Sequence, residues 1–408
     1  MKKSLSKPWK ARIKTFNIMR KHLIIITVAF IISTILLSSC GSLSFQLRNF
    51  KQVKSTYTSS ISNNEPINFV VKNNRMLAQA TINGEPDTVL LDTGDSQGLT
   101  YFHNLSEKTN DYSKLKLQSA HKKSIVYAKM DTVNIQFYYF HNTLKLDICV
   151  NYDNPCGNAI SDYPVLGNDA IFAFQFMNSK MSLSFTDQKI TYYNYHDDTS
   201  FNLNGYKPMK CDYTWKQNVL YVYPIIGGVE YKCLFDTGNN KYILLQNKGK
   251  KVQKRDGDII LEGAFGVATS GIAEAGEMIV RPDETVTLGD EDFKATVMYI
   301  PDIVVGNMGM QFIQRFDWFY DHVKNVMYYK PRDVEENKFN LDQPYRVLAT
   351  NDGLMIVSRI VDDKNTLQFG DIITSVNGEK ITAENICHYN EILNNTKDWN
   401  QFEIEIIH

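Results

Sequence analysis

No Cys-x-x-Cys pair and no cluster of histidine with cysteine occurs in this chain, which has eight histidines and six cysteines. Metal sites are built from such spacings, so the sequence offers no metal centre and calls for no cofactor. Basic charge is scarce where it would matter. The eight Lys and Arg of the first 39 residues have no acidic counterpart, and the rest carries 36 basic against 45 acidic residues, a net −9. That balance argues against nucleic acid as a partner. The basic run "NKGKKVQKRDGD" (Asn247 to Asp258) reads as a solvated surface loop. Apolar residues are not lacking: at 43% of 408 residues, with 12% aromatic, the chain can bury one large core or two to three ordinary ones.

One apolar run stands out, and it is short. "LIIITVAFIISTILL" (Leu23 to Leu37) follows a basic stretch and precedes "LSSC" and Gly41-Ser42. A basic segment, a run too short to span a bilayer comfortably and small residues before a cleavage point describe a secretory signal. Cys40 in that place resembles a bacterial lipobox, which implies a signal peptide over residues 1–39 and acylation of Cys40. An uncleaved anchor with an incidental cysteine is the alternative. Residues 40–65, polar and rich in Ser, Thr and Asn, read as a tether. "GSLSFQLRN" after Cys40 lacks the acidic run that resembles a surface-export signal of Bacteroidota lipoproteins. The expectation is therefore an exported protein, lipid-anchored to the envelope membrane and facing the periplasm. In such a compartment Cys149 could pair with Cys156, and Cys211 with Cys233.

"LLDTGDSQGLTYF" (Leu90 to Phe102) places Asp92 behind two leucines and ahead of Thr93-Gly94. "CLFDTGNNKYILL" (Cys233 to Leu245) repeats the arrangement with Asp236, Thr237 and Gly238. The contexts match too. Gly84 and Gly228 each lie eight residues before their aspartate, and period-2 apolar patterns predict hairpin-linked strands between. Downstream, "VLGNDAIFAFQF" matches "NMGMQFIQRFDW", with Gly167 75 residues after Asp92 and Gly309 73 after Asp236. Each then runs into a strand ending in tyrosines, "MSLSFTDQKITYY" and "WFYDHVKNVMYY". A shared order from end to end indicates a duplicated domain.

Two Asp-Thr-Gly turns, each followed by an apolar-Gly segment, resemble the pepsin and retropepsin superfamily of aspartic peptidases. The resemblance covers residues 66–333 and implies a mainly β fold. Two retropepsin-like closed β lobes, 66–200 and 201–333, would be related by a pseudo-twofold axis. It implies that Asp92 and Asp236 form a catalytic pair, that Thr93 and Thr237 cross-brace the turns, and that Gly94 and Gly238 permit the tight backbone. Gly167 and Gly309 would stand in the apolar-Gly segments. Such a chain would be a monomeric endopeptidase acting on a peptide or protein substrate. Two carboxyls sharing one site cannot both ionise, so the pair holds one proton and serves as base and acid together. Asp95 departs from the family, where a small or hydroxyl residue usually follows the glycine. It is expected to face away from the pair. Glu262 to Met278 has the make-up of a mobile covering hairpin. Leu117 to Met130, with Tyr127, stands in the equivalent place of the first lobe.

Residues 343–408 are a separate unit, reached through the linker Pro331 to Pro344. "LQFGDIITSVNGEKIT" (Leu367 to Thr382) resembles part of a bacterial-type PDZ domain, a small α+β fold that binds peptides by strand addition. The resemblance implies that a C-terminal peptide ligand would be received around Gly353, Leu354, Met355 and Ile356. The alternatives to a peptidase are a peptide-binding scaffold without turnover and a periplasmic adaptor working through this unit.

Overall fold

Strands β1 (Ile67–Lys72), β2 (Arg75–Ile82) and β3 (Glu85–Leu91) pair antiparallel in succession. Asn83 and Gly84 turn β2 into β3 with φ of 52° and 92°, the left-handed pair that a two-residue hairpin needs. There follow β4 (Leu99–His103), β5 (Ser113–Gln118), β6 (Lys123–Phe137), β7 (Phe140–Cys149) and β8 (Val165–Leu166). A short helix α1 (Asn168–Ile171) and the hairpin of β9 (Lys180–Ser184) with β10 (Lys189–Tyr193) close this half.

The same order then returns. β11 (Lys207–Thr214) and β12 (Val219–Val222) lead to β13 (Ile225–Ile226), which Gly227 and Gly228 turn into β14 (Val229–Glu230) at φ 56° and 85°. β15 (Cys233–Phe235), β16 (Ile243–Gln246) and β17 (Ile259–Gly263) come next, then a small ribbon of β18 (Val267–Ala268) and β19 (Gly271–Ile272). β20 (Gly276–Leu288), β21 (Glu291–Ile300), β22 (Gly306–Met308), α2 (Met310–Ile313), β23 (Phe316–Asp321) and β24 (Val326–Pro331) complete it. The computed structural model describes residues 66–118, 123–137, 140–158, 160–171, 180–193, 201–214, 218–247, 252–301, 303–334, 339, 343–362, 364 and 366–407. The signal stretch, Cys40, the tether and much of the linker lie outside them.

In each half one short strand is threaded between two others. β8 runs parallel to the end of β3, with Leu166 opposite Leu91, and antiparallel to β4, with Leu166 opposite Leu99. β22 does the same between β15 and β16, with Met308 opposite both Phe235 and Ile243. The halves join where β9 meets β23, Leu183 opposite Trp318, with β10 and β1 on one side and β24 and β11 on the other. Trp318, Tyr192, Tyr320 and Tyr329 are fully buried along this seam. Their area drives the joining of the halves, and Trp318 Nε1 donates to the Ile313 carbonyl at 2.9 Å.

The remaining elements are β25 (Tyr345–Thr350), β26 (Gly353–Ile360), β27 (Ile372–Val376), β28 (Glu379–Lys380), helix α3 (Ile386–Asn395) and β29 (Ile404–Ile407). They enclose a core of their own, with Val347, Ile356, Ile373, Leu393 and Trp399 buried together. The described protein is mainly β, and 27 strands join into one hydrogen-bonded sheet, with β18 and β19 apart.

The disulfide differs from the sequence expectation. Cys156 is bonded to Cys387, with Cα atoms 5.3 Å apart, while Cys149, Cys211 and Cys233 are free and buried. Register explains one failure. Cys211 and Cys233 both face Val222, one from each side of β12. Two strand spacings, about 10 Å, then separate them, beyond the roughly 7 Å a disulfide can bridge. Cys149 points into the core at the end of β7. Cys156 lies in the loop after it, within reach of α3.

Candidate active site

The two Asp-Thr-Gly turns emerge from β3 and β15, and the threaded strands hold both. Asp92 N–H donates to the Leu166 carbonyl at 3.0 Å and Asp236 N–H to the Met308 carbonyl at 3.1 Å. The glycine after each threaded strand is required by proximity. A Cβ on Gly167 would lie 2.4 Å from the Gln97 carbonyl oxygen, and one on Gly309 2.4 Å from that of Lys241.

The turns face each other and interlock through their threonines. Thr93 N–H donates to Thr237 Oγ1 at 3.0 Å, and Thr237 N–H donates to Thr93 Oγ1 at 3.0 Å, across 144 residues of sequence. Each hydroxyl then donates onward into the opposite half, Thr93 to the Phe235 carbonyl at 2.6 Å and Thr237 to the Leu91 carbonyl at 2.8 Å. Both threonines are almost wholly buried, at 1% and 0% exposure. An unpaired hydroxyl there would cost about 1–3 kcal/mol, so the four bonds hold one another in place.

The carboxyls lie over the opposing glycines. A Cβ on Gly94 would fall 2.5 Å from the Asp236 carboxyl carbon, and one on Gly238 2.2 Å from that of Asp92. Within its own turn, Asp92 Oδ1 accepts from the N–H groups of Gly94 and Asp95, at 2.7 and 3.1 Å. Asp236 Oδ1 accepts from those of Gly238 and Asn239, both at 3.0 Å. The two carboxyls also hydrogen-bond each other. The structure thus brings Asp92, Thr93, Gly94, Asp236, Thr237, Gly238, Gly167 and Gly309 into one place.

Charge is distributed unequally in this arrangement. Burial, the neighbouring Asp236 and the nearby Asp95 push Asp92 well above the ordinary carboxylate range. Burial also raises Asp236, but hydrogen bonds from Asn307, Asn239 and Gly238 oppose it. The Asn307 hydrogen bond favours charge on Asp236, which leaves Asp92 the more readily protonated member of the pair. Asn307 was not anticipated from the sequence. Its side-chain amide donates to Asp236 Oδ2 and in turn accepts from Asn239 Nδ2 at 2.7 Å. In the first half the matching position of the threaded strand is Val165. A polar residue amid an otherwise apolar strand was the available signal. Asp95 turns toward Thr100, whose hydroxyl donates to Asp95 Oδ2 at 2.8 Å.

Glu262 to Met278 does form a hairpin: β17 pairs with β20, and Val267 and Ile272 of the ribbon pack against Val150 and Tyr152 of the first half. β5 and β6 pair at the equivalent place in the first half, with the Lys108 ammonium 3.6 Å from the Tyr127 ring centre.

Gly353, Leu354, Met355 and Ile356 are not arranged to receive a peptide strand, and this corrects the sequence expectation. All lie in β26, which pairs with β25 along its whole length. Its other edge is taken by β27 at Leu354 and Met355, by Asp371 and Gly370 at Ile356, and by β17 from Ser358 to Ile360. The sequence shows a strand; which edges its neighbours cover is a tertiary matter. The outer edge of β25 is engaged as well. The Asn394 side chain bonds both backbone groups of Val347, and Tyr152 of the first half donates to the Ala349 carbonyl.

Among the described residues no cluster of His, Cys, Asp or Glu could hold a metal, and no helix is long and apolar enough to cross a membrane. Comparison with known proteins assigns no family to this geometry: no protein-family description matches the chain, and no curated protein matches it significantly.

Proposed function

We propose that the protein is an aspartic endopeptidase of the retropepsin and pepsin type, with two lobes in one chain. The observation that carries this is the pair of interlocked turns that bring the carboxyls of Asp92 and Asp236 into hydrogen-bonding contact. No stabilising purpose accounts for it, because placing two acids together in low dielectric costs free energy. In the proposed reaction ionised Asp236 takes a proton from water as its oxygen bonds to the scissile carbonyl carbon. Asp92 gives its proton to the carbonyl oxygen, forming a tetrahedral diol. Protonated Asp236 then delivers its proton to the departing nitrogen, the C–N bond breaks, and Asp92 recovers a proton from a diol hydroxyl. The test is incubation of the full chain, in detergent, with a diverse peptide library read by mass spectrometry. Cleavage blocked by a hydroxyl-bearing aspartic-peptidase inhibitor and absent from Asp92→Asn supports the reading; cleavage that persists in Asp92→Asn refutes it.

Asn307 tunes the pair in this scheme. Its hydrogen bond favours charged Asp236, so Asn307→Leu should move the acidic limb of kcat/KM upward. A bond to a charged group is worth about 1.5–3 kcal/mol, or roughly one to two pH units. An acidic limb unchanged within a few tenths of a unit would remove Asn307 from this role.

Residues 343–408 keep their resemblance to a PDZ domain as part of this proposal, in the role of a brace. The unit is tied to one half by the disulfide and to the other by strand pairing and an Arg359–Glu262 ion pair at 2.7 Å. The envelope anchor is likewise a proposal, resting on Cys40. Cys40→Ser is expected to leave the signal uncleaved or the protein without lipid, and to abolish partitioning of the mature protein into detergent. Equal partitioning of variant and parent would show that Cys40 does not carry the anchor.

A further inference from the structure

The covering hairpin of the second half does not stand free. Its first strand, β17, pairs with β26 of the C-terminal unit, Leu261 opposite Ile360 and Gly263 opposite Ser358. The pairing runs on at both ends: Ala264 N–H donates to the Val357 carbonyl at 2.7 Å, and Val361 N–H to the Ile260 carbonyl at 2.8 Å. Gly263, at φ 128°, passes so close to β26 that an added Cβ would run into the Val357 carbonyl oxygen. Hairpin and C-terminal unit are thus one continuous sheet.

That sheet is fastened to the first half by a covalent bond. The disulfide from Cys156 to Cys387 joins the loop after β7 to the first turn of α3. The loop is itself firmly held. The Asn104 amide donates to the carbonyls of Asn154 and Gly157, both at 3.1 Å, and accepts from Asn154 N–H at 3.0 Å. Beside the bond, Tyr152 donates to the Ala349 carbonyl, and Val150 and Tyr152 pack on Val267, Ile272 and Leu348. The tip of the hairpin comes down on the same loop, where a Cβ on Gly271 would lie 2.6 Å from the Asn151 carbonyl oxygen. The hairpin therefore rises from the second half and ends on the first, across the line where the two turns meet. Polar groups at its tip do not favour that position. Among the described residues the Thr269 and Ser270 hydroxyls are buried without a hydrogen-bond partner.

We propose that residues 343–408 are a latch that holds the covering hairpin shut, and that a dithiol reductant releases it by opening the Cys156–Cys387 bond. The proposal rests on the aspartic-peptidase reading and adds its regulation. An extended substrate has to pass beneath the hairpin. Only molecules with the hairpin raised admit it, so a held hairpin raises KM. Both cysteines are half-buried, and Pro155, Gly157 and His388 beside them are exposed, so a small dithiol can reach the bond. One thiolate of the dithiol attacks a cysteine sulfur, the S–S bond breaks, and the other cysteine leaves as a thiolate and takes up a proton. The second thiolate of the dithiol then displaces the attached cysteine, which is protonated in turn. Two cysteine thiols and one oxidised dithiol result. Cys149, Cys211 and Cys233 are free and buried, and take no part.

The test compares the full chain in non-ionic detergent with and without dithiothreitol, each followed by alkylation. Mass spectrometry should show two more alkylated cysteines after reduction, Cys156 and Cys387. Hydrogen exchange over residues 264–275 should then quicken about tenfold or more, and KM for a cleaved peptide should fall about fivefold or more at unchanged kcat. Cys387→Ser should behave like the reduced parent and gain nothing from dithiothreitol. Failure of dithiothreitol to expose the pair in the folded protein overturns the proposal, as does unchanged exchange or unchanged KM once both are alkylated. A fall in kcat/KM, or loss of exchange protection throughout the chain, would make the disulfide a support of the fold and would also overturn it. Faster exchange confined to the hairpin, with no cleavage in either state, would uphold the latch and refute the peptidase reading.

Discussion

Asp92→Asn and Asp236→Asn are each expected to lower hydrolysis by roughly 10³-fold or more, and the double variant should be no worse than either. The pair works as one unit, so removing either member removes the shared proton's function. A second effect separates loss of chemistry from loss of fold. Asp92 has its folded pKa raised, chiefly by burial and then by Asp236. A group raised in this way contributes stability fully only below its unfolded value, near 3.9, and loses it as pH rises through the folded value. The native protein is therefore penalised at neutral pH, and Asn lifts the penalty. Calorimetry at pH 7 should show Asp92→Asn melting above the parent, with the gap closing toward pH 3. A variant that melts lower at pH 7 would contradict the charge assignment, and one that keeps full activity would remove Asp92 from the mechanism.

Gly238→Ala should be nearly as damaging. Its added carbon would lie 2.2 Å from the carboxyl carbon of Asp92. Asp92 cannot yield easily, since Gly94 and Asp95 N–H groups hold its inner oxygen and the threonine interlock fixes the backbone. Overpacking of this kind costs about 1–3 kcal/mol. It also displaces the acid from its partner, and activity is expected to fall by about 10²-fold or more. Gly94→Ala, 2.5 Å from Asp236, should behave alike. Circular dichroism and kcat/KM measured together decide the matter. Near-parent activity in either folded variant would mean that the turns do not approach as closely as these distances require.

Much of this arrangement is written locally. The paired Asp-Thr-Gly turns, the two-residue turns at Asn83-Gly84 and Gly227-Gly228, and the alternating strands between them depend on residues a few positions apart. Period and turn chemistry show such features without a partner in view. The shared order of the halves, with Gly167 and Gly309 at like distances from their aspartates, extended that legibility to the threaded strands. The resemblance to aspartic peptidases rests on the same residues.

What the tertiary structure decided is set by edges and registers between distant elements. Cys156 finds Cys387 across 231 residues, while Cys211 and Cys233 are kept apart because β12 runs between them. β26 looks like a free strand in sequence, yet β25, β27 and β17 occupy its edges. Asn307 reaches Asp236 only because β22 is threaded beside β15. A strand's alternation states which face it buries, whereas which neighbour covers each edge is decided by contacts that no local pattern encodes.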